Sequence, residues 1–207
     1  MFIIKAEPYK MSETEFLIGR HGLDLVDDFY PDDLPSEWRF DYYSTLFKAL
    51  SLPIDSEEDL ELIFEELADS DEEFELVLTI QPQQLFDAKT LRNLLSSVEP
   101  YQALFTLSVE LDQAPSAKVM DLLAGYQLSF QSTVKYESKL KSAEAMSQYL
   151  YYTHLPVFHL QGDGDDKRMR ANVEKVAKIN MRTVLICNQA ESDTLHKLRT
   201  ISEILGH

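Results

Sequence analysis

The densest group of potentially reactive side chains in this 207-residue chain follows an apolar run: Val157-Phe158-His159-Leu160 leads into Gln161-Gly162-Asp163-Gly164-Asp165-Asp166. Histidine alone has an ordinary pKa near neutrality, so His159, close to a strand end, could act as general base or acid. Glu110, expected on an adjacent strand end, would be its carboxylate counterpart. The plainer alternative is a core histidine whose ring nitrogens are satisfied by neighbours. Two glycines and three carboxylates between a strand and a helix could hold phosphate on backbone N–H groups if a divalent cation offset the negative charge. Asp163 and Asp165 would be that cation's ligands, and no other cofactor is implied. A calcium loop fits at Asp163, Asp165 and Glu174 but fails at its sixth place, where the turn needs glycine and the chain has Arg168. Asp165 or Asp166 as an ordinary helix N-cap explains the same residues without a metal.

The remaining chemistry-bearing residues are scattered. His21, His154, His159, His196 and His207 show no HExxH or other metal-ligand spacing, so a zinc site would have to be assembled in three dimensions. Cys187 could be a nucleophile only with a nearby base and a lowered pKa, and packing is the alternative. As the sole cysteine it forbids an internal disulfide, which fits a reducing cytoplasm. Tyr9, Tyr30, Tyr42, Tyr43 and Trp38 could stack on a sugar or base, or simply fill the core. Gln161 and Asn188 supply amides at two further strand ends.

These residues must be positioned by strands and helices. Seven short apolar runs read as strands: Phe2–Ile4, Phe16–Ile18, Leu76–Ile80, Leu104–Val109, Leu128–Val134, Val157–Leu160 and Thr183–Cys187. Helices between them carry apolar stripes at i, i+3, i+4, i+7, in Leu60, Ile63, Phe64, Leu67 and again in Leu91, Leu94, Leu95, Val98. Asp55 with Glu58, Asp87 and Ser192 are placed to start helices, and Pro100 and Gly125 to end them. Strands one helix apart pair in parallel through right-handed crossovers, which makes this an α/β protein of one domain, residues 1–207. An open doubly wound sheet is one way to arrange it.

A second arrangement comes from a resemblance. The order Phe16-Leu17-Ile18-Gly19, then Phe29-Tyr30-Pro31-Asp32-Asp33-Leu34-Pro35, then the helix of Trp38, Phe40, Tyr42, Tyr43 and Phe47, resembles the opening of the YecE-like family (domain of unknown function 72). Leu78-Thr79-Ile80-Gln81-Pro82 looks like the family's Gln-x-Pro-Pro strand end. The resemblance implies a compressed or incomplete TIM-like barrel of about seven mainly parallel strands with outer helices. A full eightfold barrel takes about 250 residues, hence the compression. At the strand ends this chain departs from the pattern. Arg20 and His21 replace a Thr-Ser pair, no residue in Lys48–Leu52 supplies an expected Glu, and Asp112 stands for Arg after Glu110. His159 and Gln161 stand for Arg and His, and Asn188-Gln189 for Asn-Asn. A change from Arg to Asp reverses the field met by an anion, so the resemblance implies the scaffold more than an inherited ligand. The candidate ligand-binding residues are Arg20, His21, Tyr30, Gln161 and Asn188.

The chain is 44% hydrophobic, enough for one sizeable core, and carries a net charge of −17. Residues 1–80 hold 22 Asp and Glu against 5 Lys and Arg, while the remainder is balanced. A nucleic-acid binder needs clustered cations to neutralise phosphates, so no nucleic acid and no anionic membrane surface is expected as partner. No apolar run reaches the roughly 18 residues of a membrane span, and a cytoplasmic protein is expected. Two functional expectations follow. One is a noncatalytic, diverged barrel that acts by protein–protein interaction, with a protein partner or as a homo-oligomer. The other is an enzyme acting on a small phosphorylated or carbohydrate-like substrate, with His159 and Glu110 at the carboxyl ends of the strands.

Overall fold

The computed structural model describes residues 15–25, 29–143, 149–161, 165–179 and 181–207. The expected strand Phe2–Ile4, Tyr9 and Asp163 lie outside them. The described strands are β1 (Phe16–His21), β2 (Ala49–Pro53), β3 (Glu75–Ile80), β4 (Phe105–Leu111), β5 (Gln127–Ser132), β6 (Lys141–Ala143), β7 (Leu150–Thr153), β8 (Val157–Gln161) and β9 (Thr183–Asn188). The α-helices are α1 (Arg39–Leu46), α2 (Leu60–Asp69), α3 (Pro82–Phe86), α4 (Ala88–Val98), α5 (Ala117–Leu122), α6 (Asp166–Ala177) and α7 (Ser192–Ile204). All nine strands join one sheet in the order β6-β7-β5-β4-β3-β2-β1-β9-β8. Seven of them, β1 to β5 with β8 and β9, pair in parallel, as strands alternating with helices require.

The exception is at one edge, where β7 runs antiparallel to both β5 and β6. Its Leu150-Tyr151-Tyr152-Thr153 is only four residues long and offers too short an alternation to read as a strand in sequence. β2 also goes beyond the expected set. Ala49-Leu50-Ser51-Leu52-Pro53 lacks β-branched residues, and its proline is tolerated as the last residue of the strand. Four of its five residues are buried.

Alternation along the strands separates two cores. Leu17, Ala49, Val77, Val157, Val184 and Ile186 pack with Leu155 on the concave face, whereas Ile18, Leu50, Leu76, Leu78, Phe158 and Leu185 face the helices. The sheet curls far enough that its two sides approach. The Val157 N–H, on edge strand β8, donates to Ser129 Oγ of β5 at 3.1 Å, although β4, β3, β2, β1 and β9 lie between those strands in the sheet. The result is an α/β fold with a curled, mostly parallel, barrel-like sheet and helices packed outside it.

Local chemistry explains the helix positions. In α2 the cap is Asp59, whose Oδ1 accepts from the Leu62 N–H at 3.1 Å, rather than Asp55; Asp55 instead accepts from Gln84 Nε2 at 2.7 Å. Asp87 caps α4 through the Lys89 N–H at 3.0 Å. In α7 the cap position is Glu191, one residue before Ser192. Of the aromatic helix, Phe40, Tyr43 and Phe47 are core, but Trp38 is 60% exposed.

Gly19 is required by close approach. A Cβ there would sit 1.6 Å from the Ala49 carbonyl oxygen. At this point the Tyr43 hydroxyl enters the β1–β2 ladder, donating to the Ala49 carbonyl at 2.8 Å and accepting from the Arg20 N–H at 3.0 Å. The outer helix α1 is thereby tied to the strand that carries Arg20 and His21.

Candidate functional site

The concave face changes character along β1, β8 and β9. Its amino-terminal positions there are apolar, and its carboxyl-terminal positions are polar: His21 follows Leu17 and Gly19, His159 and Gln161 follow Val157, and Asn188 follows Val184 and Ile186. On β4 the same face carries Thr106, Ser108 and Glu110, and on β5 Ser129 and Gln131. The carboxyl-terminal ones surround a cavity of about 850 Å³, lined by Arg20, His21, Ser108, Glu110, Gln131, His159, Gln161 and Asn188 among others. In α/β folds this edge is where ligands bind, because helix N-termini and loops converge there.

His159 is partly buried, and its Nδ1 lies 3.5 Å from Asn188 Oδ1, a long contact between β8 and β9. With Nδ1 donating to that oxygen, Nε2 keeps its lone pair. Burial pushes the imidazole below its ordinary value of 6.5, the Asn188 contact opposes this, and the nearby His21 lowers it further. The ring is therefore neutral at pH 7, the form a general base requires. His21 is also lowered, by burial first and by Arg20 second, with Asp24 opposing. Its Nδ1 lies 3.2 Å from Ser51 Oγ.

Glu110 lies at the exposed rim, and it does not sit beside His159 as a neighbouring-strand pair would. Between β4 and β8 come β3, β2, β1 and β9 in the sheet order, and the curl alone brings both residues to one cavity. Arg20 is 4% exposed. Alternation sends it to the side of β1 opposite His21, and its guanidinium reaches the cavity rim, where Nη2 meets Asp24 Oδ1 at 3.1 Å. Nε and Nη1 are buried without a hydrogen-bond partner among the described residues.

Tyr30 does not line the cavity. Its hydroxyl donates to the Leu23 carbonyl at 2.8 Å, and its ring packs on Phe29 and Tyr42 with Arg39 above it. It buttresses the loop that carries Asp24. Asp165 is the N-cap of α6, its Oδ1 accepting from the Lys167 N–H at 3.0 Å and the Arg168 N–H at 3.4 Å. Among the described residues no group of three or more His, Cys, Asp or Glu could hold a metal ion. Cys187 is buried in β9, and burial pushes its thiol up to about 12, so it is protonated and unreactive at neutral pH.

Sequence reasoning passed over Ser108 and Gln131, and named Gln189 only as standing for an Asn at a strand end. The signal for the first two was present as strict alternation, Thr106-Leu107-Ser108-Val109-Glu110 and Gln127-Leu128-Ser129-Phe130-Gln131, in which every second residue is polar on a buried strand. Gln189 has φ 54°, left-handed backbone that non-glycine residues seldom adopt, and it too lines the cavity.

Taken together, the curl, the parallel strands and the polar cavity at their carboxyl ends define a barrel-like α/β protein. The fold is shared with a DUF72 family protein from Thermotoga maritima MSB8, whose crystal structure superposes with a TM-score of 0.58 over 93% of this chain and 100% of that one. Identity between the two is 11%, so the likeness establishes the fold alone. It agrees with the resemblance carried by the sequence. No protein-family model and no curated protein matches the chain. Among the described residues no helix is long and apolar enough to cross a membrane.

Proposed function

We propose that the protein binds a small polar molecule in the cavity at the carboxyl ends of its strands and acts on it, with His159 Nε2 as general base and Glu110 as a second proton-exchanging group across the mouth. The observation that carries this reading is the convergence of polar side chains from β1, β4, β5, β8 and β9 on one cavity of about 850 Å³, a volume suited to a metabolite-sized ligand. A diverged scaffold working only through its outer surface has no use for such a mouth, and an apolar or filled one would have favoured that role. The neutral state of His159 supports base chemistry, since an imidazolium has no lone pair to accept a proton.

The test is a calorimetric screen of sugars, sugar acids and sugar phosphates against the wild type, repeated with His159→Ala. The expected result is a compound that binds the wild type and is lost in a variant whose melting temperature is unchanged. Turnover of that compound should rise with pH through an inflection below 6.5, the ordinary imidazole value. Binding and turnover undiminished in His159→Ala would remove the proposal.

A further inference from the structure

We infer that His21 is a further catalytic residue of this cavity, a hydrogen-bond donor whose Nε2–H holds a carbonyl oxygen of the ligand while His159 Nε2 removes a proton from the adjoining carbon. The inference deepens the reading of the cavity as a small-molecule site and rests on it. It gives His21 a part distinct from the proton exchange assigned to His159 and Glu110, and it makes the substrate class a hydroxylated ketone or aldehyde.

The basis is the way each imidazole is anchored. His21 on β1 pairs with Ser51 on β2, and its Nδ1 lies 3.2 Å from Ser51 Oγ. Ser51 is fully buried, and among the described residues that ring nitrogen is its hydroxyl's hydrogen-bond partner. Were the hydroxyl to accept from Nδ1–H, its own hydrogen would be left buried and unpaired. It therefore donates to Nδ1, and the ring's proton sits on Nε2. His159 has the opposite arrangement, because its Nδ1 faces the Asn188 amide oxygen, which only accepts. One ring offers a donor and the other a lone pair. Among the described residues neither Nε2 has a hydrogen-bond partner, and neither is a buried unpaired atom, so both are open to the cavity that the rings line.

The spacing of the rings suits one small molecule. β9 lies between β1 and β8 in the sheet, which sets the two backbones about 10 Å apart with both side chains on the concave face. Asn188, opposite Gln161 of β8 and one step past the Arg20–Cys187 pair of β1 and β9, stands between them. Burial and the neighbouring Arg20 hold His21 below its ordinary value, so at pH 7 it is a neutral imidazole, a form able to polarise a carbonyl. In the step, the C–H bond breaks and its proton goes to His159 Nε2. The electron pair forms a carbon–carbon double bond, and the carbonyl π pair moves onto the oxygen held by His21. Return of that proton, or of one exchanged with solvent, restores the carbonyl without oxidant or reductant.

The reaction is read as replacement of the α-protons of erythrulose or xylulose by deuterium in D2O, followed by proton NMR, with calorimetric binding of both ketoses alongside. Wild-type protein is expected to speed exchange above the buffer rate, and His21→Leu to slow it roughly 100-fold. His21→Gln, whose amide can donate, should keep part of the rate. Ser51→Ala preserves both histidines but frees the His21 ring, so exchange should fall several-fold with little change in ketose affinity. That variant carries the test where His21→Leu melts early. Exchange at the wild-type rate in His21→Leu or Ser51→Ala, or ketoses bound without exchange, overturns the inference and leaves the cavity a ligand site. Neither binding nor exchange with either ketose overturns it too, whereas the cavity reading falls with it only if the wider screen of sugars, sugar acids and sugar phosphates also finds no ligand.

Discussion

His159 reaches the concave face two residues after Val157, just where the barrel lining turns from apolar to polar, and the burial it meets there disfavours its charged form. Its folded pKa lies below the unfolded value of 6.5, so between the two the unfolded chain binds more protons and stability rises with pH. Above the unfolded value this residue contributes no pH dependence; as pH falls below it, holding the ring neutral costs stability. His21 acts in the same direction. Thermal melts between about pH 7 and pH 5 should therefore show a steeper acid loss for the wild type than for His159→Gln, and parallel curves would mean that the ring is not held neutral. A second residue prediction concerns Gln189, which adopts φ 54°. A left-handed conformation costs a side chain about 1–2 kcal/mol, which glycine avoids at some entropic expense. Gln189→Gly should thus leave stability unchanged or raise it by up to about 1 kcal/mol, where a glycine placed in ordinary backbone lowers it. A drop of that size in chemical denaturation would show that the side chain holds a contact worth more than the strain.

At the scale of elements, α1 and β1 are coupled through one hydroxyl. Tyr43 is fully buried, and its oxygen satisfies both the Arg20 N–H and the Ala49 carbonyl. Tyr43→Phe keeps the ring and leaves both backbone groups unpaired, so a loss of about 1–3 kcal/mol is expected in chemical denaturation. Faster amide exchange at Arg20 should accompany it, and unchanged exchange would place the ladder's support elsewhere. This coupling was not legible in the sequence, where Tyr43 is one more aromatic on a helix stripe. What was legible follows from periodicity. Six expected strands and the helices with apolar stripes lie where alternation and the i, i+3, i+4, i+7 spacing put them. β2 and the β6–β7 pair escaped because their residues lack β-branching or their runs are too short. The site divides in the same way. His159, Gln161, Asn188 and Glu110 could be found as polar residues at strand ends, whereas their mutual arrangement depends on the sheet's curl, which no local pattern encodes. Tyr30 was misplaced because aromatic spacing cannot tell a ligand platform from a brace beneath a loop.

Over the whole molecule, two features test the barrel-like closure and the charge it carries. The net charge of −17 comes from the first 80 residues, whose described part includes β1 to β3 and the helices α1 and α2. Like charges concentrated in one part of the chain repel, and monovalent salt screens them over about 10 Å at 0.1 M, so the melting temperature should rise as salt is added from low ionic strength. A fall would mean that ion pairs such as Arg170–Glu174, rather than repulsion, dominate the balance. Closure is tested at its seam. β8 is an edge strand whose pairing is completed on one side by β9, with the Val184 N–H donating to the Pro156 carbonyl at 2.9 Å. On its other side the Val157 N–H reaches Ser129 Oγ, which is 1% exposed on β5. Ser129→Ala removes the acceptor and little volume. In a flat open sheet β5 and β8 would be far apart and the change nearly neutral. In a curled one the Val157 amide is left buried and unpaired, a loss of about 1–3 kcal/mol accompanied by faster exchange of that single amide. Because His159 and Gln161 follow Val157 on the same strand, loosening the seam should also weaken ligand binding in the cavity, even though Ser129 lies one turn of the alternation below Gln131 and outside the cavity lining.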